Sequence, residues 1–117
     1  MFWTYQLDEE YTVLAGKTDI DNDILSIKIA NPNDWWFHVK GMPGSHVILI
    51  VRHGIKPDKK TLEKAASIAA WHSKARNGGV TAVSGTLAKH VSKHKGAKPG
   101  LVTIHKEKTF KVRPAIP

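Results

Sequence analysis

The chain contains no cysteine. Disulfide staples and thiolate metal sites are thereby excluded, and the composition suits a reducing cytoplasm. Long apolar runs are missing as well, since no stretch approaches the ~20 residues of a membrane-spanning helix. The opening MFWTYQLDEE has neither the basic n-region nor the apolar h-region of a secretory signal. Internal repeats, linkers and low-complexity tracts are also lacking. With 117 residues, the chain fits one domain that can bury a core without staples. The expectation is one domain over residues 1–117, cytoplasmic, with no membrane partner.

Acids are scarce, and unevenly so. Eighteen Lys+Arg face ten Asp+Glu, a net charge of +8. Asp8, Glu9, Glu10, Asp19, Asp21, Asp23 and Asp34 all lie in the first third. After Asp58 only Glu63 and Glu107 remain, so the stretch from Lys59 to Arg113 is strongly basic. Such a field draws polyanions, and nucleic acid is the favoured partner. The plainer alternative is a basic surface that serves solubility alone.

Two β-rich stretches, FWTYQ and YTVLA, flank the acidic turn LDEE and predict an opening hairpin. The run DILSIKIA suits a short helix or a strand. An Asx cap at Asn22 or Asp23 and a stop at Asn31-Pro32-Asn33 favour the helix. Asp34 to Val51, DWWFHVKGMPGSHVILIV, reads as two strands around a tight Gly-Pro-Gly turn. The loop RHGIKP follows. Pro57-Asp58 opens a long helix, Lys59 to about Arg76, closed by Asn77-Gly78-Gly79. Its packing stripe is Leu62, Ala65, Ala66, Ala69 and Ser73, flanked by Ile68 and His72. Trp71 shares the far side with lysines, where it either stacks a base or lies under a loop. VTAVSGT is a strand with Gly85 as a bulge. LVTIHK and TFKVRP form a closing hairpin around Glu107-Lys108. The fold class is α+β: one compact domain with a mixed or antiparallel sheet of about six strands, and one long helix across a face.

Alternation through DWWFHVK sorts its side chains by sheet face. Trp35, Phe37 and Val39 belong to the core. Asp34, Trp36, His38 and Lys40 share the opposite face, expected to look outward. With Ser45 and His46 from the turn they make an aromatic platform beside hydrogen-bonding groups, which is how proteins hold unstacked bases. The alternative pairs Asp34 with His38 to fix the hairpin and packs Trp36 under the long helix. In LAKHVSKHKGAKPG, Lys89, Lys93, Lys95 and Lys98 suit phosphate contact; otherwise they form a solvated loop.

Several segments in order resemble the NFACT-R (NFACT RNA-binding) domain. They are A-G-K-T-D-I-D-N-D, D-W-W-F-H-V with P-G-S-H-V-I-L, E-K-A-A-S-I-A-A-W-H-S-K-A-R, K-G-A-K-P-G-L-V-T-I and K-T-F-K-V-R-P. The likeness spans about residues 11–114, and the family's D-x-W-x-H pattern falls on Asp34, Trp36 and His38. The resemblance implies the RNA-binding module of large ribosome-associated quality-control factors such as RqcH and NEMF. Those factors engage the large ribosomal subunit and tRNA, and bacterial and fungal forms direct C-terminal tailing of stalled chains. This chain reads as a stand-alone version, without their N-terminal domain, helix-hairpin-helix region or coiled coil. Other stand-alone and fused versions imply a wider RNA role, including tRNA modification.

The expected function is binding of tRNA- or rRNA-class RNA, in translation quality control or tRNA metabolism. The first alternative is an accessory subunit docking RNA onto a modifying enzyme or the ribosome. The second is a small RNA- or nucleotide-processing enzyme. Asp34, His38, Ser45 and His46 contain the parts of a hydrolytic site, but G-S-H is not a nucleophile elbow, so no catalytic residue is assigned. His90 and His94 have i,i+4 spacing, and His38 and His46 face each other across the hairpin. Neither pair has an obvious full ligand set, so no metal or other cofactor is expected.

Overall fold

The structure is a computed structural model describing residues 1–52 and 54–117. His53, within the expected loop Arg52–Pro57, lies outside the described residues. The chain opens with the expected hairpin, β1 (Phe2–Leu7) and β2 (Tyr11–Gly16). Asp8 turns it with φ of 53°, a left-handed conformation that Asp tolerates better than most residues.

Next comes α1 (Asp19–Asp23), continued by a wider π-helical segment, Ile24–Ile29. The helical choice for this run holds, but it begins earlier than the Asx cap suggested. Thr18 is the cap, and its hydroxyl accepts from the Asp21 amide at 3.0 Å. Then follow β3 (Trp35–Val39), β4 (Val47–Ile50), α2 (Lys59–Trp71) and β5 (Thr81–Leu87). The chain closes with β6 (Val91–Ser92), β7 (Thr103–Ile104) and β8 (Lys108–Val112).

Six strands form one antiparallel sheet in the order β1-β2-β4-β3-β5-β8. The closing hairpin is not there. β7 pairs with β6 in a separate two-stranded sheet, while β8 pairs with β5. Lys106, with φ of 53°, lies between β7 and β8, whose partners are in different sheets.

α2 packs on one face of the sheet. Asp58 caps it, the carboxylate accepting from Thr61 N at 2.8 Å. Ala65, Ala66, Ile68, Ala69 and Ala70 are fully or almost fully buried against Val13, Phe37, Val47, Leu49 and Val83. Four small alanines let the helix backbone approach the sheet closely. The helix ends at Trp71 rather than Arg76 because the β3–β4 connection claims the backbone beyond it. Ser45 N donates to His72 O at 2.9 Å, and Gly44 bridges Ser73. That connection, residues 40–46, is correspondingly longer than a tight turn.

Gly85 is not a bulge, for its register with β3 and β8 is unbroken. A Cβ there would stand 2.7 Å from the Phe110 ring and 2.8 Å from the Phe37 ring. Glycine is required because two aromatic rings occupy the space of a side chain.

The opposite face of the sheet is covered too. The helical segment 19–29 and the chain from Ala88 to Lys106 lie over it, closing a second core around Leu25, Trp36 and Ile48. The sheet is thus sandwiched between two layers.

Candidate nucleic-acid interface

Strand alternation in β3 is as the sequence indicates, but its second face does not look outward. Trp36 is 3% exposed and sits under Leu25, Val91, Val102 and Ile104. It lies on the side of the sheet away from α2, so the alternative packing under the long helix fails as well. The indole Nε1 donates to Ser26 Oγ at 3.0 Å, and Ser26 Oγ lies 2.8 Å from His46 Nδ1. With the indole proton received by the hydroxyl, Ser26 donates onward to Nδ1, and all three buried groups are satisfied. Trp36 is therefore a core residue and offers no free face to a base.

Asp34 is equally enclosed, at 2% exposure. Its carboxylate accepts from Asn31 N at 2.8 Å and from Val51 N at 2.9 Å. It fastens the entry of β3 to the exit of β4 and forms no pair with His38. Ser45 Oγ donates to Gly16 O at 2.6 Å. His46 is buried, and its amide donates to Asn22 Oδ1 at 3.0 Å. Gly16 is glycine for Asn22's sake, since a Cβ there would fall 2.0 Å from Asn22 Oδ1. Asp34, Ser45 and His46 are thus each bonded elsewhere, and no Ser–His–Asp relay links them with His38.

Of the expected face, His38 and Lys40 reach the surface. The half-buried His38 ring is nearly parallel to Trp36, with centroids 6.0 Å apart, and meets His46 edge-on at 5.4 Å. Burial lowers its pKa. Lys40 is exposed, its ammonium 3.4 Å from Glu107. A hydrogen bond from Ser84, more than Lys40, keeps that carboxyl below its usual range.

The lysine segment divides similarly. Lys93 turns inward to pair with Asp23 at 3.1 Å, and it donates to the carbonyls of Lys98 and Leu101, the latter at 2.9 Å. Gly100 N donates to the other Asp23 oxygen at 3.0 Å. One carboxylate and one ammonium thus clamp both ends of the loop onto α1. Lys89, Lys95 and Lys98 remain exposed. His90 and His94 share no helix, because a single 3-10 turn, Ala88–His90, passes directly into β6. Among the described residues no group of three or more His, Asp or Glu is gathered as a metal site would need. Among the described residues no helix is long and apolar enough to cross a membrane.

Sequence reasoning missed a cleft of about 360 Å³ on the far side of α1, lined among others by Trp3, Lys17, His72, Lys74 and Arg76. Its signal was present in the segment WHSKAR, which was read as continuing helix. Trp71 is half-buried and does not line the cleft; the Arg76 guanidinium lies 4.7 Å from its ring centroid.

Burial fixes the charge of two imidazoles. His46 and His72 are each lowered from 6.5 to about 4, chiefly by burial and then by His38 and Arg76 respectively. The unfolded chain takes up these protons near pH 6.5, before the folded one does. Stability is therefore complete above that pH and falls as pH drops toward 4. For His46 the slope should approach about 1.4 kcal/mol per pH unit. Urea denaturation at pH 7 and pH 5 measures it. A His46→Gln variant should show a flatter decline, and an unchanged slope would assign the effect to another group.

The chain matches the family model described as "NFACT protein RNA binding domain" over residues 1–106. It is 40% identical over 111 residues to the Rqc2 homolog RqcH of Bacillus subtilis, covering 95% of this chain and 19% of that protein. The Rqc2 homolog RqcH of Streptococcus suis is 38% identical over 107 residues, covering 92% of this chain and 19% of that protein. A solved structure, the C-terminal of the fibronectin/fibrinogen-binding protein from Streptococcus suis, superposes with a TM-score of 0.87 at 37% identity. That match covers 96% of this chain and 44% of the solved one. The chain thus spans about a fifth of the length of these curated relatives.

Proposed function

Because the chain belongs to the NFACT RNA-binding domain family, we propose that it binds structured RNA of the tRNA or rRNA class. Its setting is translation quality control or tRNA metabolism in the cytoplasm. Lys40, Lys89, Lys95 and Lys98, all exposed, supply phosphate contacts, and the half-buried His38 offers a further contact. Asp34, Trp36, Ser45, His46 and Lys93 act from below, as the frame that holds these groups in place.

The observation that carries this reading is the clamp of Asp23 on Lys93 and Gly100. It fixes the backbone from which Lys95 and Lys98 project, so less loop entropy is lost when phosphates bind. Reversing Lys95 and Lys98 together to Glu should weaken binding to tRNA and to unrelated RNAs alike. The slope of log affinity against log salt should become shallower by about 1.5, as two lost phosphate contacts require. Filter binding across a salt series reads both quantities, and an unchanged slope would remove this loop from the interface. Lys93 is excluded from that pair because Lys93→Glu breaks the clamp itself.

The relatives carry this module as about a fifth of a longer protein. That favours, as a second reading, RNA delivery to a modifying enzyme or to the ribosome. Capture of a protein partner that survives nuclease treatment distinguishes it from free RNA binding.

A further inference from the structure

The cleft beyond α1 is not part of the lysine loop. Its volume, about 360 Å³, falls within the roughly 300–1,000 Å³ of small-ligand sites. Trp3 stands at its rim, 37% exposed and stacked on His72 with ring centroids 4.1 Å apart. The Lys17 ammonium lies 5.4 Å from the Trp3 ring. Lys74 and Arg76 line the same space, so three cations face one acid on the lining, Asp19. Arg76 Nε donates to Trp71 O at 2.7 Å, which engages one donor of the guanidinium and orients the two terminal nitrogens as the remaining ones.

An independent observation points to a ligand. His72 is 9% exposed and lines the cleft. Its Nε2 lies 2.6 Å from the Tyr5 hydroxyl, yet its buried Nδ1 has no hydrogen-bond partner among the described residues. Buried polar atoms are nearly always satisfied, and this one belongs to a ring that lines a cationic, aromatic-rimmed cleft, so a small shift of the ring on binding would give it a polar partner. A flat π-face beside several cations fits a nucleotide better than a bare anion, which has no use for the indole.

We propose that this cleft, between α1, the β3–β4 connection and the end of α2, is a subsite for one unpaired RNA nucleotide, its base stacked on Trp3 and its phosphate held by Lys17, Lys74 and Arg76. The proposal rests on the RNA-binding reading above. Asp19 connects the two regions: it lines the cleft on one side, and on the other a Cβ at Gly100 would stand 3.0 Å from its carboxylate. The subsite and the lysine loop thus flank α1.

The test uses the full chain with tetraadenylate, adenosine monophosphate and inorganic phosphate, followed by the indole N–H resonances. Loss of one resonance in Trp3→Phe identifies Trp3. That resonance should move on adding either nucleotide and stay fixed with inorganic phosphate. Trp3→Ala and Arg76→Glu should each weaken tetraadenylate binding about tenfold, with far-UV circular dichroism unchanged. If Trp3→Ala does not fold, Arg76→Glu and the resonance shift still decide. Should both variants bind as tightly as the parent while the Lys95/Lys98 reversal weakens binding, the cleft is overturned and RNA binding stands. A Trp3 resonance that stays fixed with both nucleotides, while the Trp71 resonance beside Arg76 moves with them as it does with phosphate, also overturns it. If the parent chain binds neither tRNA nor tetraadenylate, both readings fall.

Discussion

Trp36→Ala should lower the free energy of unfolding by about 3–5 kcal/mol, the cost of emptying a large buried aromatic site. The indole is 3% exposed and touches three separate parts of the chain: the π-helical segment, β4 and the 91–104 cover. Its removal opens a cavity beneath the layer that covers this face of the sheet. Trp36→Phe separates packing from polarity. The ring survives, but Ser26 loses its indole donor, which should cost about 1–3 kcal/mol. Urea denaturation followed by circular dichroism gives both numbers. A Trp36→Ala protein with the parent's midpoint would place the indole on an open surface, contrary to the structure. RNA affinity should fall in these variants only as far as folding does.

Asp34→Ala should cost about 2–4 kcal/mol, because two backbone donors, Asn31 N and Val51 N, lose the buried carboxylate that is their shared acceptor. Asp34→Asn should fall between parent and Ala. Its carbonyl serves one amide, while its NH₂ group faces the other, donor against donor. Measured in the same urea series, an Asn variant no worse than the parent would mean that the carboxylate grips only one of the two. Together these substitutions separate framework from interface in the D-x-W-x-H pattern. Its first two members should act on stability, and only His38 can act directly at the surface.

The main sheet, the long helix and the α+β class were legible because each rests on local signals: alternation, an Asp58 cap, alanines at helical spacing. The faces of β3 were misread for a definable reason. Period 2 separates two sides of a strand but does not say whether a second layer covers either. That layer comes from two segments separate from the strand, residues 19–29 just before it and 88–106 well after it, and its apolar members are few. The early end of α2 was hidden in the same way, since nothing local in HSKAR announces that Ser45 will claim the His72 carbonyl. Lys93 looked like its neighbours until Asp23, 70 positions earlier, was brought beside it. Composition located the charge correctly. Tertiary structure decided which ammonium groups remain exposed.

The sheet ends at β8, whose outer edge carries Lys108, Lys111 and, just beyond, Arg113, all exposed. An unpaired strand edge is a template onto which another copy could stack. Here two approaching copies would bring like charges together along the seam, so the repulsion that keeps this border unpaired should be strongest in dilute buffer and should fade as counterions accumulate.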